Sequence, residues 1–203
     1  MALCSGRRFY ARSMGPALVL VTIFLMSMPP VSLSQPLVNL KGTEWEQAGE
    51  EHGVDPHLLY SVALMESREL SPEDSSLVRP SPYAINAGGV GFFPETLDEA
   101  EALVEALSFS MDSTNIDVGV MQISLKWHDD KYDNPKDLLD TSTAINVGAR
   151  ILKEAMDSSP DDEVLGAGRY HNWANERRSR AYGRKVIAIR NAINPSSRKV
   201  GSE

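Results

Sequence analysis

Glu66 stands where an acid is out of keeping with its neighbours. Counting back three, four and seven residues gives Ala63, Val62 and Leu59, so on a helix this carboxyl shares an apolar face. The helix predicted here ends near Arg68, which puts Glu66 in the last turn, at the negative end of the helix dipole. Burial and the dipole both disfavour the ionised form and raise the pKa. A carboxylic acid that keeps its proton near neutral pH is what protonating a glycosidic oxygen requires. The plainer reading is an acid at the helix edge paired with Arg68.

Few other residues compete for a chemical role. Asp117 lies two residues before Gly119, placed either to cap the turn into Val118-Gly119 or to act as a second carboxylate. Asp129, Asp130, Asp133, Asp137 and Asp140 suggest a calcium loop at first sight. Lys131 and Asn134 then occupy positions where such a loop needs a ligand and a glycine, so a solvated acidic loop is expected. No nucleotide-binding loop, His-Glu-x-x-His pair or nucleophile elbow occurs, and the reading requires neither metal nor organic cofactor.

The elements that must position Glu66 are helical. Thr43-Glu44-Trp45-Glu46 forms a capping box and Gly53 a stop. Asp55 caps the next helix, with Pro56 in its first turn. Pro80, Pro82, Gly88, Gly89 and Gly91 mark an irregular stretch, after which Thr96-Leu97-Asp98-Glu99 opens a third helix. Further helices are predicted near 141–156, 160–170 and 178–193, and strand signal is confined to Val118–Ser124. No linker or repeat divides the apolar pattern.

Composition sets the outer bounds. The chain has 203 residues, 42% hydrophobic and 24% charged, as ordinary folded proteins have. A formal charge of -8 argues against a nucleic-acid binder. The single cysteine, Cys4, rules out an internal disulfide framework. Arg7, Arg8 and Arg12 precede an apolar run from Pro16 to Met28, and Ser32-Leu33-Ser34 supplies small residues at cleavage-site spacing. The run is shorter than the ~20 residues needed to span a bilayer. Residues 1–34 are therefore read as a secretory signal, with no stable membrane insertion after cleavage, rather than as an uncleaved anchor. The remaining segment, 35–203, is expected to be a single catalytic domain. Its charge is uneven: residues 35–168 hold 8 basic and 26 acidic side chains, and residues 169–199 hold 9 basic ones against Glu176 alone. This basic C-terminal stretch is either a solvated Arg-rich helix or an anion-binding patch.

Five blocks in order carry a resemblance. They are Ala63-Leu64-Met65-Glu66-Ser67, Ser81-Pro82-Tyr83-Ala84-Ile85-Asn86, the stretch from Asn115 to Ile123 containing Gly119-Val120-Met121-Gln122, the stretch from Ala144 to Leu152, and Gly168-Arg169-Tyr170-His171-Asn172. The series resembles the soluble lytic transglycosylases of the lysozyme-like superfamily, most closely those that accompany bacterial secretion and conjugation machines, and covers roughly Trp45 to Ile189.

The resemblance implies a mainly α, lysozyme-like single domain with a short irregular or β segment beside the active-site cleft. It implies Glu66 as the catalytic acid and base, with Ser67, Met121, Gln122, Tyr170 and Asn172 as substrate-binding residues. It also implies cleavage of peptidoglycan glycan strands in the periplasm, leaving 1,6-anhydromuramic ends, as a partner of an envelope-spanning secretion or conjugation complex. The chain departs from the family pattern at Arg68, where many members have Gly, at Val120 in place of Leu, and at His171 between Tyr170 and Asn172. His171 is either a contact or a packed ring, and the stretch from Gly88 to Met111 is long enough to cover the cleft. A hydrolytic lysozyme and a non-catalytic peptidoglycan-binding module are the alternatives.

Overall fold

The helix starts are set by side chains that satisfy otherwise unpaired backbone N–H groups. In α1 (Glu44–His52) the Thr43 hydroxyl accepts from the Glu46 N–H at 3.4 Å, while Glu46 reaches back to the N–H of Gly42 at 2.6 Å. Gly53 ends the helix in the left-handed conformation, φ 68°. In α2 (Pro56–Ser67) Asp55 accepts from the His57 N–H at 2.8 Å, and Pro56 fills the first turn. The structure, a computed structural model, describes residues 37–71, 77–110 and 115–194. The expected leader, residues 1–34, lies outside the described residues, as do Met111, Arg198 and Lys199.

Four further helices follow. They are α3 (Leu97–Ser110), α4 (Thr141–Asp157, capped by Asp140), α5 (Glu163–Arg169, capped by Asp162) and α6 (Glu176–Ile193, capped by Asn175). Asp137 and Asp140 of the acidic run are cap residues: Asn134 and Asp137 form a reciprocal capping box on a 3₁₀ turn, Pro135–Leu139. The fold is mainly α with a small antiparallel sheet.

The strands extend well beyond the expected Val118–Ser124. β1 (Arg68–Leu70) pairs with β2 (Val78–Pro80). A second sheet has the order β4-β3-β5-β6, formed by Val90–Phe92, Ile85–Ala87, Ile116–Val118 and Ile123–Ser124. Each strand is two or three residues long, too short for a period-2 pattern to show against the surrounding Pro and Gly. Cross-strand pairing sets Asp117 directly opposite both Asn86 and Ser124.

α2 and α4 form the centre. Leu58, Leu59, Val62 and Ala63 of α2 are buried, as are Ile145, Ala149, Ile151 and Leu152 of α4. α5 and α6 pack closely because Gly168 and Gly183 lack side chains. A Cβ on Gly168 would lie 1.9 Å from the Ser179 carbonyl oxygen, and one on Gly183 would lie 1.9 Å from that of Val164. Arg190, 5% exposed, is anchored by Glu163 of α5. The start of the described chain runs alongside the end of α6. The Val38 N–H donates to the Ile193 carbonyl at 3.2 Å, and His57 Nε2 lies 3.0 Å from the Val38 carbonyl. No helix among the described residues is long and apolar enough to cross a membrane.

Candidate active site

Glu66 leaves the core in the last turn of α2. Val62 and Ala63 behind it are wholly buried, and its own side chain is 17% exposed. The chain turns into β1 at Arg68, which points to solvent and makes no ion pair with Glu66. The partner of Glu66 comes instead from α6. The Tyr182 hydroxyl donates to Glu66 Oε1 at 2.5 Å, from a ring that is 7% exposed. Burial pushes the Glu66 pKa up to about 7, the Tyr182 hydrogen bond pulls it down, and the charge of Asp117 adds to the rise. Desolvation prevails, so a large fraction of Glu66 is protonated at neutral pH.

Two phenols flank the acid. Burial and the charge of Glu66 hold both Tyr170 and Tyr182 well above the ordinary tyrosine pKa, so both remain hydrogen-bond donors. Tyr170 donates to the Met121 carbonyl at 2.8 Å. Asp117 also rises, because burial outweighs a hydrogen bond from Ser124. His171 stacks on Tyr182, with ring centroids 4.8 Å apart and planes 4° from parallel, and its Nδ1 lies 3.8 Å from Glu66 Oε1. Partial burial and the positive charges of Arg178 and Lys185 lower the His171 pKa, which keeps the imidazole neutral beside Glu66 at neutral pH.

The Gly119–Gln122 turn is locked under these groups. Gly119, at φ 80°, donates to the Ala84 carbonyl at 2.8 Å, and a Cβ there would lie 2.0 Å from the Leu138 carbonyl oxygen. Gln122 has φ 47°, a left-handed conformation that costs a non-glycine residue roughly 1–2 kcal/mol. Its amide nitrogen holds the shape by donating to Ala84 O at 2.9 Å and Gly119 O at 3.1 Å. Those two bonds use both amide hydrogens and leave Oε1 as the atom that can accept from a ligand.

Two of the expected substrate contacts are therefore corrected. The Met121 side chain is fully buried, packed over Gly148. Ser67 is 2% exposed, with its hydroxyl 2.6 Å from the Val120 carbonyl. Both residues brace the turn from behind, and neither presents a side chain to a ligand. Gln122 and Tyr170 are half-buried; Tyr170 lies within reach of the charges of Glu66 and Asp117, and Gln122 belongs to the turn whose Met121 carbonyl accepts from Tyr170. Asn172 is half-buried too, but its Oδ1 accepts from the Asn175 N–H at 2.8 Å and its carbonyl from Ser179, so it shapes the turn into α6. The stretch expected to cover the cleft forms β4 and α3, which packs on the 3₁₀ turn and on β3 and β5.

Tyr182 escaped the sequence reading. The available signal was a lone aromatic at i+3 from Ser179 and i−4 from Val186, on the apolar face of a segment otherwise rich in Arg. A phenol on a buried face needs a hydrogen-bond partner, and a semi-buried acid is a suitable one.

Two open depressions occur elsewhere. The larger, about 610 Å³, is lined by His52, Tyr132, Asn146 and Arg150 among others, and neither includes Glu66. Among the described residues no group of three or more His, Cys, Asp or Glu is placed to hold a metal ion. Comparison of the chain with protein-family models, curated proteins and solved structures finds no match.

Proposed function

We propose that the protein is a lytic transglycosylase that cleaves the β-1,4 bond between N-acetylmuramic acid and N-acetylglucosamine in peptidoglycan. The observation that carries this reading is Glu66, raised to about 7 by burial and held at Oε1 by Tyr182. Such an acid can protonate the glycosidic oxygen and then, as a carboxylate, accept a proton from the substrate's own C6 hydroxyl. That hydroxyl attacks C1 and closes a 1,6-anhydro ring, with no water consumed. Tyr182 limits the rise in pKa, so the same carboxyl can serve in both directions near neutral pH. Oε1 of Gln122 is available to accept from an acetamido N–H. The ordered sequence blocks support the same reaction, as well as action in the periplasm as a local wall-opening partner of a secretion or conjugation apparatus.

Asp117 supports a second reading, hydrolysis. Its carboxyl is half-buried and close enough to act on Glu66, as the second carboxylate of a hydrolase must be. Against it, the Asp117 carboxyl is already engaged by a hydrogen bond from Ser124, which braces it within the sheet. Mass spectrometry of the products from purified sacculi separates the two. Anhydro ends are expected, and reducing ends alone would establish hydrolysis with Asp117 as the leading base.

A further inference from the structure

The basic stretch noted in the sequence divides into used and unused cations. Arg180 pairs with Asp162 and Glu176, and Arg190 with Glu163. Arg178 and Lys185 are exposed, and no ion pair joins either to a described residue. Their placement on α6 is specific. At about 100° per residue both fall within roughly 60° of Tyr182 on the same side, while Arg177 and Arg184 fall roughly 140–160° away. Tyr182 touches Glu66, and His171 lies flat on Tyr182 within reach of both charges. On a chain that is strongly acidic up to Gly168, two cations with no ion pair to a described residue thus stand on the side of α6 that carries the Tyr182–Glu66 contact.

We propose that Arg178 and Lys185 form a cationic rim that binds carboxylate groups of the substrate as the glycan passes Glu66. This rests on the peptidoglycan reading above. Free carboxylates on that polymer come from two sources, the stem peptides and, where the peptides have been removed, the lactyl group of muramic acid. A charge-assisted bond from Arg or Lys to either would position the strand without taking part in proton transfer.

The test uses three preparations of sacculi: intact, stripped of peptides by an amidase, and intact with carboxyls capped as neutral amides by carbodiimide coupling. The protein is compared with the Arg178→Ala/Lys185→Ala double variant and with Arg177→Ala/Arg184→Ala as the control for charge alone. On intact sacculi the rim variant should show KM raised about ten-fold with kcat within about two-fold, and the control should match the parent protein. Capping should weaken the parent to the level of the rim variant and leave the variant unchanged. A rim effect larger on intact than on stripped strands assigns the stem carboxylates, and the reverse assigns the lactyl group. Equal responses of parent and rim variant to capping, or an equal loss in the control, overturns the proposal.

Co-sedimentation with the same sacculi is read in parallel. If the parent cleaves nothing yet loses sacculus binding on capping and on rim substitution, the cleavage reading falls and the rim stands. If rim substitution weakens binding to phosphatidylglycerol vesicles and leaves sacculus binding intact, the rim serves a lipid surface and the proposal falls.

Discussion

Tyr182 donates a hydrogen bond to Glu66 across 116 residues of chain, and in doing so joins the end of the central helix to the middle of the last one. The bond favours the carboxylate, while burial and the Asp117 charge favour the acid. The result, a pKa of about 7, has consequences for both activity and stability.

The substitution Glu66→Gln keeps shape and an acceptor for Tyr182 but removes the transferable proton. Glycan cleavage should be lost. Stability should change with a definite sign. The folded pKa of about 7 lies above the ordinary 4.5, so the parent protein's stability from this group is fully present below pH 4.5 and is lost as pH rises through 7. The variant escapes that loss. It should be more stable than the parent by up to about 3 kcal/mol above pH 7, with the difference shrinking as pH falls from 7 towards 4.5. Urea unfolding at pH 4.5 and pH 8 measures it. A difference that does not depend on pH would mean Glu66 titrates normally.

In Tyr182→Phe the ring packing is kept and the pull toward the carboxylate is lost. The Glu66 pKa should move above 7, carrying the alkaline limb of the activity profile with it. Carbon-13 NMR titration of the Glu66 carboxyl gives the shift directly. An unchanged or lower value would contradict the role assigned to the phenol.

Tyr170→Phe should act differently, because that hydroxyl serves the Met121 carbonyl. Leaving a largely buried carbonyl without its donor should cost about 1–3 kcal/mol. The activity loss should be modest and should leave the pH profile in place. A collapse of kcat with stability unchanged would put the Tyr170 hydroxyl at the reacting centre instead.

At position 122 the usual order of Ala and Gly should invert. Both substitutions lose the amide bonds to Ala84 and Gly119, but only glycine is unstrained at φ 47°. Gln122→Gly should therefore be about 1 kcal/mol more stable than Gln122→Ala. Thermal unfolding of the pair decides it, and an equal or reversed order would show that the turn relaxes.

Gly168→Ala should be severe, since the new methyl would meet the Ser179 carbonyl at 1.9 Å. Prising α5 from α6 should cost about 3 kcal/mol or more and move Tyr182 relative to Glu66. Denaturant unfolding reports the first effect and the carboxyl titration the second. Parent-like values in both would show that the two helices can separate without consequence.

What could be read in advance follows the range of the interactions involved. Thr43, Asp55 and Thr96 each bond to a backbone N–H two or three residues on, so the starts of α1, α2 and α3 were visible locally. Glu66 was visible because its own helix supplies much of the apolar face behind it. The Tyr182 contact was not, since nothing near position 66 or 182 encodes a partner in a remote helix. Ser67 and Met121 show the converse problem. Their positions in the sequence blocks placed them at the site, but only burial distinguishes a residue that faces a ligand from one that braces the turn behind it.

The hydrogen bond from Val38 to Ile193 makes the described chain almost a closed ring. The closure lies beside Asp55 and His57, at the start of α2, whereas Glu66 lies about 16 Å further along the same helix. A short linker could therefore join the two ends, and the chain could be reopened at the exposed turn of Gly88 and Gly89 between β3 and β4. In such a circular permutant the order of the five sequence blocks would change while Glu66, Tyr182 and His171 kept their neighbours. The chemistry of this site belongs to the packing of α2 against α6, and the place where the polypeptide starts is incidental to it.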